Sequence, residues 1–328
     1  MFVVVLRFVG MEIFLKEPLE LTFWEVSWTS ALGGVVGGII WGGLEIADEY
    51  FWKNKRRSFA RLVFIKTLVY ILIFFVISFL ASWVSTGSLD WATKYILSDI
   101  SIGNFLFFVV AGLLYLFVKQ MSHKFGPGIL FQYVTGKYFS PKEEERIFMF
   151  LDLKSSTTIA ERLSHVLYSK LLQDCFAELT IPVIHSKALI YQYVGDEAVI
   201  TWNKKDGFTN SNCIKLYFEF NQQLQNKKEY FISSYGVIPE FKAGMSYGLV
   251  TVAEVGEVKT EIAYHGDVLN TAARIQGYCG TLNKQLLVSE SVAKELEINE
   301  ELDITPVNEV QLRGKKDKSK IFSVELKQ

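Results

Sequence analysis

The chain has 328 residues, a formal net charge of -1, 50% hydrophobic residues and a mean hydropathy of +0.22. The near-zero charge argues against a nucleic-acid binder, which carries a basic surface. The apolar content is high for a water-soluble protein and suits a chain partly embedded in lipid. The three cysteines, Cys175, Cys213 and Cys279, are odd in number and widely separated, which argues against a disulfide framework or a CxxC zinc site and reads as free thiols in a reducing compartment.

The first third is the apolar part. Val26–Leu44, Thr67–Leu89 and Ser101–Val118 are uncharged runs, each near the roughly 20 residues that cross a hydrocarbon core. Met1–Leu15 is also apolar but is interrupted by Arg7 and Glu12. It reads as a fourth span, the remnant of one, or an interfacial helix rather than a cleaved signal peptide. Lys53, Lys55, Arg56, Arg57 and Arg61 cluster between the first two clear spans, and Lys119, His123 and Lys124 follow the last; Ser88–Asp99 carries only Lys94 against Asp90 and Asp99. Basic loops stay in the cytoplasm, which puts residues 53–61 and everything after about residue 119 inside. The expected topology is four helices with both ends inside a multi-pass inner (plasma) membrane protein. Gly33/Gly37, Gly34/Gly38 and Gly38/Gly42 are GxxxG pairs, which serve close helix packing within or between chains.

Three regions follow: a transmembrane module over 1–119, a linker over 120–143, and a cytoplasmic domain over 144–328. Gly126, Gly128, Gly136 and Pro141 break any continuous helix through the linker. Beyond it, strands and helices alternate. Ile147–Leu151 is expected as a buried strand and Thr157–Glu178 as one long helix. Leu189–Val194 and Glu197–Trp202 flank Gly195-Asp196 as a hairpin. Cys213–Leu224 reads as a helix, Phe241–Tyr247 and Leu249–Val255 as a strand pair, and Val268–Ile275 as a helix ending before Gly277 and Gly280. Leu286–Ser289, Ile304–Leu312 and Lys320–Leu326 read as late strands. Helices laid on an antiparallel or mixed sheet give an α+β domain of ferredoxin-like type.

Asp152 ends the first strand and Asp196 sits at the hairpin tip. Two such carboxylates converging at one sheet edge suit Mg²⁺, which binds through one or two carboxylates plus substrate phosphates. Leu153-Lys154-Ser155-Ser156-Thr157 links strand to helix, and free N–H groups at Ser155, Ser156 and Thr157 would cradle phosphate oxygens. Either Asp alone is as readily a turn or cap residue. Asn270 and Arg274 stand one helical turn apart on one face, where Arg would neutralise charge building on phosphorus and Asn would fix a ribose.

These segments resemble the class III adenylate/guanylate cyclase catalytic domain over about residues 146–326. Phe150-Leu151-Asp152-Leu153 resembles the first metal motif and Tyr193-Val194-Gly195-Asp196-Glu197 the second. The stretch from His265 to Arg274 is similar to the helix that stabilises the transition state. The resemblance implies two Mg²⁺ per site (with Mn²⁺ able to substitute), held by Asp152, Asp196 and the backbone carbonyl of Leu153. It implies Asn270 and Arg274 as catalytic residues, Lys242 and Lys315 as phosphate contacts, and a homodimer whose sites draw on both chains. The family's two purine-reading positions fall at Gln192 and Ala263, neither the usual Lys nor the usual Asp or Thr. A Gln amide both donates and accepts, so residue type leaves ATP or GTP open, with ATP the expected substrate by analogy. A diguanylate cyclase is suggested by Val194-Gly195-Asp196-Glu197 but disfavoured by Val194 in place of Gly and by the Asn270/Arg274 helix. A degenerate cyclase serving as a membrane receptor is the non-enzymatic alternative.

Overall fold

The computed structural model describes residues 59–97, 99–126, 128–296, 301–310 and 318–327, with a few isolated positions before residue 44. Met1–Leu15, nearly all of Val26–Leu44, the basic cluster at 53–57 and Lys315 lie outside the described residues. Contacts divide the chain into two units, residues 1–123 and 124–328.

In the first unit, α1 spans Phe59–Thr86, α2 Leu89–Ile96, and α3 starts at Asp99 and ends at Phe125. The uncharged run Thr67–Leu89 is therefore not one helix: Gly87, at a φ of 67° that glycine adopts without cost, closes α1. The expected loop Ser88–Asp99 is largely helical, as α2. Ser101–Ser122 within α3 is long and apolar enough to cross a membrane, with mean hydropathy 2.2; Phe64–Leu80 within α1 is a shorter apolar stretch. Phe74 and Phe75 pack against Phe105 and Phe108 with ring centroids 5.2–5.8 Å apart. The outward faces stay apolar, with Phe64 and Leu72 on α1 and Val110 and Leu114 on α3 exposed.

In the second unit, Gly126 (φ 94°) and Gly128 (φ 76°) end α3, and the short α4 (Ile129–Val134) follows. Strand β1 (Lys142–Leu153) is longer than the expected 147–151, because its charged start pairs with a neighbouring strand. Then come α5 (Ser156–Arg162), α6 (His165–Glu178), α7 (Thr180–His185), β2 (Leu189–Val194) and β3 (Glu197–Asn203). The single helix expected over 157–178 is broken. Leu163 is extended (ψ 154°), and the Ser164 hydroxyl accepts from the Leu167 N–H at 3.3 Å, capping a new helix. The chain continues through α8 (Lys204–Phe208), α9 (Asn212–Asn226), α10 (Lys228–Tyr235), β4 (Phe241–Val255) and β5 (Glu261–His265). It ends with α11 (Asp267–Thr281), β6 (Leu286–Ser289), α12 (Glu290–Leu296), β7 (Leu302–Val310) and β8 (Ser319–Leu326). The strand pair expected on either side of Gly248 is one strand, since Gly248 stays in ladder register opposite Arg146. Its antiparallel partner there is β1, and β5 pairs with its far end.

The sheet runs β2-β3-β1-β4-β6-β8-β7, with β5 on the far end of β4; only the β4–β6 pairing is parallel. Side-chain alternation along β1 decides its two faces. Ile147, Met149, Leu151 and Leu153 join a core with Leu171, Cys175, Ile214, Tyr217 and Phe220 under the helices of one side. Phe148 and Phe150 face the other way, with Tyr138, Val250, Val252, Val268 and Ala272. Asp152 continues this second face, the one that α11 covers.

Candidate active site

Asp152 stands one residue from the end of β1, opposite Glu197 on β3 and Lys242 on β4. Residues directly opposite in an antiparallel pair share a face, so the three ionisable side chains gather at one sheet edge. Gly195, at φ 62°, allows the two-residue turn that carries Asp196. The Leu153 N–H donates to the Asp196 carbonyl at 3.4 Å, which ties the hairpin tip to the end of β1. The Leu153 side chain is buried in the core, so only its backbone is offered to the site.

Lys242 Nζ lies 3.1 Å from Asp152 Oδ2, and Gln276 Nε2 donates to the same oxygen at 2.8 Å. Burial pushes the Asp152 carboxyl up; Lys242 and Gln276 pull it down, while Asp196 adds to the rise. Glu197 is pushed up to about 7 by burial, then by Asp152 and Asp196, with Lys242 opposing. The cluster therefore holds more negative charge than Lys242 neutralises, and its donors are hard oxygens, which fits Mg²⁺ or Mn²⁺. Among the described residues no group of three or more His, Cys, Asp or Glu closes a cage. A cation here would complete its shell from phosphate, backbone carbonyl and water.

Ser155, Ser156 and Thr157 follow directly after this edge. Ser155 takes a left-handed conformation (φ 57°) and Ser156 hydrogen-bonds Tyr168, whose hydroxyl is pushed up by burial and by the nearby Asp196 charge. Helix α5 has seven residues rather than the twenty-odd expected, so any pull on phosphate comes from local N–H groups more than from a long helix dipole.

Among the described residues, no hydrogen bond or ion pair joins Asn270 or Arg274 to this cluster. The buried stripe of α11 is Val268, Thr271, Ala272, Ile275, Gln276 and Cys279. At about 100° per residue Asn270 falls opposite that stripe and Arg274 on its flank; Asn270 is exposed and Arg274 half-buried. Gln192 is exposed on β2 beside a bulge between Ile190 and Gln192, a device that re-aims side chains near sites. Ala263 pairs with Ala253 on β4. Their chain neighbours Tyr191 and Tyr264 meet edge to face at 5.0 Å, which draws the two positions' strands together. Lys315 lies outside the described residues.

Gln276, Glu197 and Tyr168 also lie at this cluster, and sequence reasoning missed them. Glu197 was visible as the neighbour of Asp196, whereas Gln276 and Tyr168 reach the site only through helix packing.

A mixed sheet with two carboxylates at a hairpin edge and an Asn/Arg helix defines a nucleotide-cyclase catalytic fold. The chain belongs to the adenylate and guanylate cyclase catalytic domain family, whose sequence profile matches residues 140–325. It is 32% identical over 209 residues to "Adenylate cyclase 2" of Rhizobium meliloti (strain 1021), covering 64% of this chain and 58% of that protein. It is 23% identical over 183 residues to "Adenylate cyclase" of Anabaena cylindrica, covering 54% of this chain and 36% of that protein. The chain thus spans less than two thirds of either relative. Its fold is similar to a bacterial light-regulated adenylyl cyclase (TM-score 0.55, 18% identity, 66% of this chain and 63% of that one). It is also similar to the adenylyl cyclase CyaB from P. aeruginosa (TM-score 0.51, 15% identity, 58% of this chain and 97% of that one).

Proposed function

We propose that the chain is a membrane-anchored adenylate cyclase that converts ATP to 3′,5′-cyclic AMP and pyrophosphate at sites shared between two copies of itself. The observation that carries this reading is the split within one chain. Asp152, Asp196 and Lys242 gather at one sheet edge, while Asn270 is exposed and Arg274 half-buried on α11, both outside its buried stripe. In a two-fold dimer Asn270 and Arg274 would meet the Asp152, Asp196 and Lys242 cluster of the other chain, forming two equivalent sites.

Asp152, Asp196 and the Leu153 carbonyl would hold two Mg²⁺ ions, which when bound lower the pKa of the attacking hydroxyl and neutralise the leaving pyrophosphate. Lys242, already at the carboxylate, is placed to take a triphosphate oxygen, with Lys315 and the Ser155–Thr157 backbone as further phosphate contacts. Asn270 of the partner subunit orients the ribose so that O3′ faces the α-phosphorus. Arg274 of the partner subunit takes up charge as O3′ attacks and the bond to the β-phosphate oxygen breaks. Gln192 and Ala263 line the base. ATP is placed first because both curated relatives are named adenylate cyclases.

Membrane anchoring rests on Ser101–Ser122, on the apolar outward faces of α1 and α3, and on the uncharged run Val26–Leu44. Exposed apolar surface of this extent is at home in lipid. The basic residues at 53–61 and 119–124 support a cytoplasmic catalytic domain over residues 144–328 behind the linker 120–143.

The test is a product assay on detergent-solubilised full chain given ATP or GTP with Mg²⁺ or Mn²⁺. Cyclic AMP from ATP alone is expected. Cyclic GMP from GTP would reassign the substrate, and no product from a dimeric preparation would favour a receptor role.

A further inference from the structure

We propose that Gln276 is a positioning residue for the cation site. It turns the Asp152 carboxylate so that one oxygen stays available to metal, and it locks that carboxylate to the helix carrying Asn270 and Arg274. The inference rests on the reading of Asp152 as a metal ligand.

Gln276 is buried on the sheet-facing stripe of α11, where the other members are Val268, Thr271, Ala272, Ile275 and Cys279. A long amide in such a place costs stability unless its polar atoms find partners. Its Nε2 finds Asp152 Oδ2 at 2.8 Å, the oxygen that Lys242 also engages at 3.1 Å. Both contacts are made to Oδ2, and Oδ1 is the oxygen assigned to a cation. Lys242 is a flexible, charged donor able to leave for a phosphate. Gln276 is neutral, held by its helix, and keeps Oδ2 occupied when Lys242 departs.

The contact depends on a close approach built into the sheet. A Cβ on Gly244 would lie 2.2 Å from the Gln276 backbone nitrogen and 2.6 Å from the Ala272 carbonyl oxygen. Helix α11 therefore rests backbone to backbone on β4, two residues along the strand from Lys242. At that distance the amide spans the remaining gap to β1. Because Gln276 is two residues from Arg274, the bond links the metal edge of a chain's own site to the helix it presents to its partner.

Groups that orient a metal ligand typically change metal affinity by about 10–100-fold when removed. The test is Mn²⁺ binding to the full chain, measured from the paramagnetic resonance of free Mn²⁺, with turnover recorded in parallel. Gln276→Met, equal in length but without a donor, is expected to weaken Mn²⁺ binding about tenfold. At saturating Mn²⁺ most of kcat should return, with KM for the nucleotide little changed. Unaltered Mn²⁺ affinity in a folded variant would overturn the proposal, as would a kcat loss that saturating Mn²⁺ leaves in place. If Gln276→Met fails to fold, Gln276→Asn keeps the amide but is one methylene too short, and the same two readouts decide. Mn²⁺ binding by the wild-type chain without cyclic nucleotide formation would count against the cyclase reading alone. Failure of the wild-type chain to bind Mn²⁺ would overturn the metal assignment and this inference with it.

Discussion

Gly244→Ala is the most informative single-methyl perturbation. Gly244 has an ordinary backbone conformation, so the added methyl brings no backbone strain, only a collision. The new carbon would meet the Gln276 nitrogen at 2.2 Å, the Gln276 Cα at 2.5 Å and the Ala272 oxygen at 2.6 Å, all backbone atoms that no side-chain rotation can move aside. Non-bonded heavy atoms settle near ~3.5 Å, so α11 must retreat by about 1.3 Å. Overpacking of this kind costs about 1–3 kcal/mol, or a fall in Tm of roughly 3–10 °C for a domain of this size. The retreat also stretches the Gln276–Asp152 bond to about 4 Å, beyond hydrogen-bond range, and carries Asn270 and Arg274 outward with it. A displacement of about 1 Å in reacting groups costs on the order of 100-fold in turnover. Thermal unfolding and cyclic nucleotide formation, measured on the same preparation, give both numbers. An alanine variant with wild-type Tm and wild-type turnover would refute the close approach and the role of α11 together.

Other outcomes follow from the same geometry. Asp152→Ala or Asp196→Ala should abolish product formation in a protein that still folds and dimerises, and unchanged turnover would remove the metal assignment. Arg274→Ala should lower kcat by about 10²–10³-fold with a much smaller change in KM, because its contact strengthens only as charge builds; a pure KM effect would assign it to ground-state binding. Glu197 has its carboxyl raised from 4.5 to about 7 in the folded chain. Between those values the folded state keeps a proton that the unfolded chain has released, so stability falls as pH rises through that window and levels off above it. The Tm of cation-free protein should drop between pH 5 and pH 7.5, and drop less in Glu197→Gln. Equal drops in the two proteins would place the cause elsewhere.

Much of the catalytic domain was legible in the chain because its signals are local. The alternation through Ile147–Leu151, the Gly195-Asp196 turn and the spacing of Asn270 and Arg274 each depend on a few neighbouring residues. Where the reading failed, tertiary contacts had overridden local pattern. Gly248 looked like a turn but is held in a ladder by β1. Gly277 and Gly280 looked like a helix stop, yet α11 runs on to Thr281 because Ile275 and Cys279 bury against Leu287 and Ile321. The break at Leu163–Ser164 was hidden because the apolar spacing continues across it and only the Ser164 cap marks the new start. At the site, residue types named Asp152 and Asp196 and the family resemblance added Lys242, and the structure puts Asp152 and Lys242 in contact with Asp196 close by. Gln276 was not legible, since an amide in a helix carries no sign of the strand it will rest on.

The most direct test is complementation between two inactive chains. Asp152→Ala and Arg274→Ala variants, each expected to be inactive alone, are co-expressed and assayed for cyclic AMP. Random pairing makes half of the dimers mixed, each with one intact site of two, so activity should recover to about a quarter of wild type. A preparation shown by cross-linking to contain the mixed dimer, yet no more active than either variant alone, would contradict a site built from the carboxylates of one chain and the arginine of the other.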